Sequence, residues 1–545
     1  MKSLGSCLRG LWRMSGPARR WMLLCSVLGV VRIAASLSFV WVCKELVDVA
    51  TGVSPAPLTG RIVLMVGIML TQYLSNIAIS YCENYGILSV KNSLRARLFG
   101  CVMDSRWSGV ERYRSGDAVN RLEEDIRVVS ELLCSHIPGV IITVCQLIAA
   151  SVFLMTMSPE LLWLLVALML VGVIGSRLFF LKLRSLTSEI RALDSDIQQL
   201  IQENLQNRVV ALTLIGTARV ISSLGSLQDR LRGKTVSRLN YNAVARGFMS
   251  LGFMGGYASA FLWGIFGIMN GSVSFGMMTA FLQLVGQVQR PVADLARELP
   301  AFIHALTSIE RLMELENLEA EPDGPEWTAQ GAAGVRLEGV NFAYPGPGAP
   351  VFTAFSHDFR PGTLTVVAGP TGIGKSTLVR LLLGLLEPQK GSVTVYDSAS
   401  SCRAGRSARG NFRYVPQGNS LMSGTIRENL LLANPDADEA QLRKALECAE
   451  AGFVYELPDG LETRCGETGS GLSEGQCQRI AIARALLHGG GILLLDESTS
   501  SLDPATEARL IENLRNLISA DSRLTVIFIS HREAVMASAE SLLSL

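Results

Sequence analysis

The chain has 545 residues, room for about two to four ordinary domains, and 49% of them are hydrophobic, more than soluble cores need. The formal net charge of +1 excludes the strong basic excess of a duplex-binding protein. The 11 cysteines form no C-x-x-C pair and several sit in apolar runs, so they read as reduced packing residues rather than a metal or disulfide framework.

Lys2, Arg9, Arg13, Arg19 and Arg20 precede an apolar stretch from Trp21, an arrangement with the outline of a secretory signal, but the stretch is too long and further ones follow. Segments able to cross a hydrocarbon core of about 30 Å fall near 21–43, 61–82, 137–157, 160–181, 247–269 and 275–298. They predict six spanning helices. Buried helices of a soluble domain are the other reading, but those usually show a polar stripe and seldom reach this length.

The loops give the orientation. Lys91, Arg95, Arg97, Arg106, Arg112, Arg114, Arg121 and Arg127 lie between the second and third segments. Lys182, Arg184, Arg191, Arg208, Arg219, Arg230, Arg232, Lys234, Arg238 and Arg246 lie between the fourth and fifth. The opposite loops offer only Lys44 and Arg61 at their margins. Cytoplasmic loops collect Lys and Arg, so the N-terminus, both long loops and everything after the sixth segment are expected inside. Apolar residues at three- and four-residue intervals over Val119–Leu133 and Glu203–Leu231 predict that the long loops are helices extending the bundle.

Residues 316–334, with Pro322, Asp323, Gly324, Pro325, Gly331 and Gly334, read as a linker. A second domain is expected over 335–545. Its short apolar runs at Thr365, Val393, Ile492 and Thr525 alternate with helical segments, the pattern of an α/β fold with a buried, mainly parallel sheet. The predicted fold class is therefore an all-α six-helix membrane domain over 1–315 followed by an α/β P-loop ATPase domain.

Gly369, Pro370, Thr371, Gly372, Ile373, Gly374, Lys375, Ser376 and Thr377 follow the first of those runs and open a helical segment, the context a phosphate loop requires. Glycines let the backbone approach phosphates, the helix N-terminus favours their charge, Lys375 reaches the terminal phosphates and Ser376 can ligate magnesium. The run Ile492-Leu-Leu-Leu-Asp496-Glu497 adds an apolar strand ending in an acid that can hold the metal. These two motifs alone leave kinase, GTPase and helicase open.

A further element, Leu472-Ser473-Glu474-Gly475-Gln476, about 20 residues before the acidic strand, resembles the signature of the ATP-binding-cassette family. The resemblance extends across the domain. Tyr344 resembles the aromatic that stacks on adenine, Gln417 the glutamine that links nucleotide and metal to the membrane domain, Asp503 the loop communicating between subunits, and His531 the switch histidine. Taken singly, Tyr344 could be a core aromatic and His531 a structural histidine; their order and spacing favour the resemblance. In the membrane half, Glu45-Leu-Val-Asp48 and Ser115-Gly-Asp through Glu124-Asp125 are similar to exporters whose membrane domain precedes the ATPase. Two departures stand out: Glu474 replaces the commoner glycine, and the chain runs only to Leu545, where relatives carry further helices.

The resemblance implies ATP and Mg2+ as cofactors, with ATP held between the phosphate loop of one copy and Ser473, Glu474, Gly475, Gln476 and Asp503 of the other. Ser376, Gln417 and Asp496 are the implied metal side, and Glu497, His531 and Gln417 the catalytic groups. The expected partners are a second copy of the chain or a different half-transporter, membrane lipid and an exported substrate, with no nucleic acid. The expected location is a bacterial inner membrane, multi-pass, with the ATPase in the cytoplasm. An ATPase acting on nucleic acid has tandem cassettes without spans, an importer keeps its parts on separate chains, and an ATP-gated channel shares every motif here. Lipid, peptide, drug and small thiol all remain open as substrates. Gln283, Gln287 and Arg290 share a helix face in the sixth segment, and Arg32, Gln72, Asn76 and Gln146 are polar within others, either lining a pathway or bonding helices together.

Overall fold

The computed structural model describes residues 4–545 except 56, 111–114, 178–179, 347–348, 466–470 and 522. Lys2, Arg112 and Arg114 lie outside the described residues. Two compact units result, one formed by residues 1–100 and 115–316 and the other by 101–114 and 317–545.

The first unit is helical. After α1 (Leu4–Met14), helices run through all six predicted segments: α2 (Arg19–Ala50), α3 (Leu58–Met103), α4 (Ile137–Met157), α5 (Pro159–Arg177), α7 (Thr217–Met269) and α8 (Phe275–Glu316). Another helix, α6 (Phe180–Gln206), lies between α5 and α7. Among the described residues, four stretches are both long and apolar enough to span by themselves: 16–50, 58–103, 116–157 and 217–269. The remaining two predicted segments fall short for different reasons. In α5 the described apolar run is short, 159–171, and α8 carries Gln283, Gln287, Gln289 and Arg290 within the stretch that would have to span.

At about 1.5 Å per residue, the 46 residues of α3 and the 53 of α7 exceed a bilayer core twofold, so the apolar halves continue into polar helical extensions. Such extensions are what the spacing in the long loops predicts. One part of that expectation fails. The predicted helix over 203–231 breaks at Asn207, and Gly216, at φ +82°, starts a new one. The apolar spacing runs straight through the break, and the positive φ at Gly216, between the short 208–215 stretch and the next helix, is one glycine adopts without a Cβ penalty.

The membrane core lies where Leu154, Leu161, Leu165, Phe281 and Leu284 meet, with Trp263 edge-on to Phe281. A second cluster, around Val90, Leu94, Ile126, Leu133 and Leu312, holds the long-loop end of the bundle together. Here Ser308 donates to the buried Asp125 at 2.7 Å.

Among its described residues the second unit has two main sheets and a short two-stranded pair, Gly424–Thr425 with Arg464–Cys465. Four strands pair antiparallel: β1 (Gly334–Phe342), β2 (Phe352–Phe359), β4 (Lys390–Tyr396) and Ser401–Arg403. The predicted run at Val393 belongs here and not to the parallel sheet, because it alternates buried and half-exposed residues as a one-sided strand does. The other sheet is parallel, in the order β8 (Ser541–Ser544), β3 (Leu364–Ala368), β7 (Thr525–Ile529), β6 (Ile492–Asp496), β5 (Phe412–Val415). Strands β3, β6 and β7 are buried on both faces, which explains their nearly continuous apolar composition.

Residues 101–110 belong with this unit, although they come from the first long loop. Asp104 Oδ1 meets Arg406 at 3.0 Å, Arg106 meets Glu387 at 3.4 Å, and Ser105 bridges to Ala320.

Candidate nucleotide site

In an open parallel sheet, ligands bind beyond the carboxyl ends of the strands. The four neighbouring strands β3, β7, β6 and β5 deliver, beyond those ends, the phosphate loop, His531, Asp496 with Glu497, and Gln417. Residues scattered over 369–531 in sequence thus reach one edge of the sheet.

The phosphate loop joins β3 to α9 (Lys375–Leu382). Gly372 (φ +87°) and Gly374 (φ +117°) take left-handed backbone that a side chain would strain, and a Cβ on Gly374 would strike Val351. Gly369, Pro370 and Thr371 form the approach to this turn. Lys375 is 8% exposed. Its Nζ donates to Gly369 O at 2.9 Å and lies 3.1 Å from Glu497 Oε1. Ser376 is exposed at the helix start, whereas Thr377 is buried and its hydroxyl lies 3.2 Å from Tyr344 Oη. Tyr344 also accepts from Arg380 at 3.2 Å and stands edge-on to Phe342. Tyr344 is 40% exposed, so it is no buried core aromatic.

Glu497 has φ +45°, unusual for a glutamate, and its amide is held by Ile529 O at 3.0 Å. Gln417 Nε2 donates to Glu497 Oε2 at 2.7 Å. His531 is open to solvent, its Nδ1 3.9 Å from Glu497 Oε1 and so beyond hydrogen-bond reach. Asp496 is buried, and this, with the neighbouring Glu497 charge, pushes its pKa up to about 6. Lys375, Arg380 and a hydrogen bond from Tyr414 pull the other way. Burial and the same carboxylate push Tyr414 up to about 12, which keeps it a donor. Sequence reasoning missed Tyr414; its only signal is its place three residues before Gln417, on the strand beside β6.

A second group forms around α10 (Glu474–Leu487) and α11 (Pro504–Ala520). Ser473 caps α10: its hydroxyl accepts from Gln476 N at 3.2 Å, while Gln476 Oε1 accepts from Ser473 N at 2.8 Å, a reciprocal capping box. Glu474 is exposed in the first turn. Gly475 is buried against the 501 loop, where a Cβ would come within 2.8 Å of Ser501 O. Gln478 ties the same helix to Ser500 at 3.3 Å. Asp503 caps α11 through Ala505 N at 3.1 Å and Thr506 N at 3.0 Å, which holds its carboxyl below the usual range. Arg532, also missed in the sequence, donates to Ser500 O, Leu502 O and Glu507, fastening this loop to the segment that carries His531.

The arrangement suits a nucleoside triphosphate with a hard cation. A left-handed glycine cradle, a buried lysine and a helix N-terminus face one edge with two adjacent carboxylates, one of them kept apart from solvent. Among the described residues no cluster of three His, Cys, Asp or Glu exists. The carboxylate of Asp496 beside the phosphate loop fits magnesium, which takes one or two carboxylates and completes its shell with phosphate oxygens and water.

Residues 352–500 match the ABC transporter family, and residues 22–292 match the ABC transporter transmembrane region. The ABC multidrug transporter mdr2 of Aspergillus fumigatus is 28% identical over 461 residues, covering 83% of this chain and 57% of that protein. The chain thus spans little more than half the length of that relative. An uncharacterized ABC transporter ATP-binding protein of Mycobacterium tuberculosis is 28% identical over 543 residues, 97% of this chain and 91% of its own. The fold is shared with a bacterial Atm1-family ABC exporter solved with ATP bound, at TM-score 0.78 and 22% identity, over 97% of this chain and 93% of that one.

Proposed function

Because the chain belongs to the ABC transporter family, with an export-type membrane region and its ATPase in one polypeptide, we propose that it is half of an ATP-driven exporter whose other half is a second copy of itself. ATP hydrolysis powers the transport. The observation that carries the dimer reading is the division of the site into two groups. Lys375, Gln417, Asp496 and Glu497 converge at the sheet edge, while Ser473, Gly475 and Asp503 are tied to α10, α11 and the 501 loop. The second group of one copy then completes the first group of the other, by a two-fold operator that uses both surfaces twice.

In this reading Tyr344 stacks on the base, the amides around Gly372 and Gly374 with Lys375 hold phosphates, and Ser376, Gln417 and Asp496 hold magnesium. Bound MgATP supplies the phosphoanhydride whose cleavage drives the cycle. Glu497 accepts or positions a water proton and His531 donates to the reacting end, so catalysis is mostly positioning and charge stabilisation. Glu497 is the charge partner of Lys375 in this structure, and with Gly369 O it leaves one of the three ammonium donors for a phosphate. The basic long loops support a cytoplasmic ATPase, and the setting of this reading is a bacterial plasma membrane.

The test is the mass and ATPase rate of the chain purified alone in nanodiscs. A dimer with ATPase activity abolished by E497Q is expected. A monomer that becomes active only on adding a different half-transporter replaces the homodimer with a heterodimer.

A further inference from the structure

Within the membrane unit, α2, α3, α4 and α8 surround a cavity of about 380 Å³. Its size lies within the range of small-molecule pockets, about 300 to 1,000 Å³. Its lining is unusual for helices of this hydropathy: Arg32, Asn76, Gln146, Arg290 and Asp294 all face it. Arg32 donates to Asn76 Oδ1 at 3.1 Å. Among the described residues, neither Arg32 nor Arg290 has a carboxylate within 4.0 Å. Asp294, the one acid of the lining, lies 3.9 Å from Arg297, outside the cavity lining. Two guanidinium groups therefore face one chamber against a single carboxylate that is itself shared.

A structural explanation accounts for part of this. Gln72 spends its amide on Ala35 O at 3.1 Å, an ordinary helix-to-helix hydrogen bond. It does not account for the arginines. Charged groups within membrane helices are expensive and stay only with a partner or in a watered cavity, and two of like sign in one chamber repel each other. An anion between them relieves both costs, and guanidinium presents the planar fork that suits phosphate or carboxylate oxygens. A neighbouring lateral groove along α3 shares Asn76 with the cavity and is walled by Tyr81 and Tyr85, stacked at 6.0 Å. An apolar or aromatic body attached to the anion can lie there.

We propose that this cavity binds the anionic group of the transported molecule, a phosphate or carboxylate held between Arg32 and Arg290. The inference rests on the transporter reading above and narrows its substrate to anions, whether a lipid headgroup or a free solute.

The experiment measures ATPase rate of the full chain in phosphatidylcholine nanodiscs, titrated separately with dihexanoyl phosphatidylglycerol, glycerol 3-phosphate and dihexanoyl phosphatidylcholine. Saturable stimulation by an anionic probe and none by the zwitterionic one is expected. A response to phosphatidylglycerol alone assigns a lipid source, and a response to glycerol 3-phosphate as well assigns a soluble one. R32Q and R290Q should each raise the half-saturating concentration about tenfold or more, the loss expected for a charge-assisted hydrogen bond, and R32K and R290K should recover part of the shift. No saturable response of the wild type to either anionic probe, equal stimulation by the zwitterionic probe, or half-saturation unchanged in R32Q and R290Q overturns the proposal. If the wild-type chain shows no ATPase activity that K375A removes, the transporter reading itself is what falls.

Discussion

The carboxylate of Glu497 joins Lys375, at 3.1 Å, to Gln417, at 2.7 Å. One acid thus neutralises the buried lysine of the phosphate loop and accepts from the glutamine beyond β5. The pairing links the phosphate site to the next strand through one side chain.

From this follows a contrast between two substitutions. E497Q keeps the size of the side chain and removes both the base and the competing charge. It should bind MgATP at least as tightly as the wild type and hydrolyse it about 10² to 10⁴ times more slowly, the usual worth of a positioned acid–base group. K375A should weaken nucleotide binding itself. Equilibrium binding of a fluorescent ATP analogue and phosphate release, measured on both variants, check the pair; near-normal turnover of E497Q would remove Glu497 from its role.

Asp496 makes the reaction depend on pH. Its ionised form is the one that can hold magnesium, and its pKa stands near 6 in this state through burial and the Glu497 charge. The magnesium concentration needed for half-maximal ATP binding should therefore rise as pH falls below 6, by up to about tenfold per unit. Y414F removes a hydrogen bond that favours the ionised acid and should move the midpoint upward. Stability has the opposite sign. A carboxyl whose folded pKa exceeds the unfolded value of 3.8 holds its proton longer when folded, so its contribution is largest below 3.8 and is lost as pH rises through about 6. Magnesium titrations between pH 5 and 8 decide the matter, and a midpoint unmoved in Y414F would separate the tyrosine from the site.

The phosphate loop, the acidic strand and the signature are legible in sequence because their residue types are dictated locally: glycine where φ is positive, lysine beside phosphate, serine at a helix cap. Tyr414 and Arg532 escaped because each acts through a neighbour that only the sheet order or the 501 loop brings near. The strand at Val393 was assigned to the wrong sheet because a four-residue apolar run carries too short an alternation to separate one-sided from two-sided burial. The break between Asn207 and Gly216 is invisible to periodicity, since Val209, Val210, Leu212 and Leu214 continue the helical spacing; these four are exposed, so the pattern does not report packing within this unit. Residues 101–110 belong to the second unit through charge pairs such as Asp104 with Arg406, which no local pattern announces.

Orientation gives a prediction independent of nucleotide. A cysteine placed at Ser54, just after α2, should react with a membrane-impermeant maleimide added to intact cells, while one at Ser223, in the extension of α7, should react only after the cells are opened. The native cysteines must first be replaced, since eleven are present. The basic residues of the long loops set this side, and labelling of the Ser223 position from outside would invert the topology and the direction of transport with it.

The last prediction concerns Glu474. It is exposed in the first turn of α10, where a negative charge meets the positive end of the helix and adds about 0.3 to 1 kcal/mol. The same end, through Ser473 and Gly475, is the one that the dimer reading turns toward the terminal phosphate of the partner copy. A carboxylate there stabilises the helix and repels the ligand. E474G should therefore separate the two effects: thermal unfolding shifts slightly down, while ATP-driven association of the E497Q background occurs at several-fold lower ATP. G475A is the control, because its added Cβ meets Ser501 O at 2.8 Å and must displace the 501 loop whatever the charge. Crosslinking or light scattering against ATP concentration reads the association. An E474G variant that associates no more readily than its parent would show that the glutamate points away from the phosphate and that the family's usual glycine is not needed for charge reasons here.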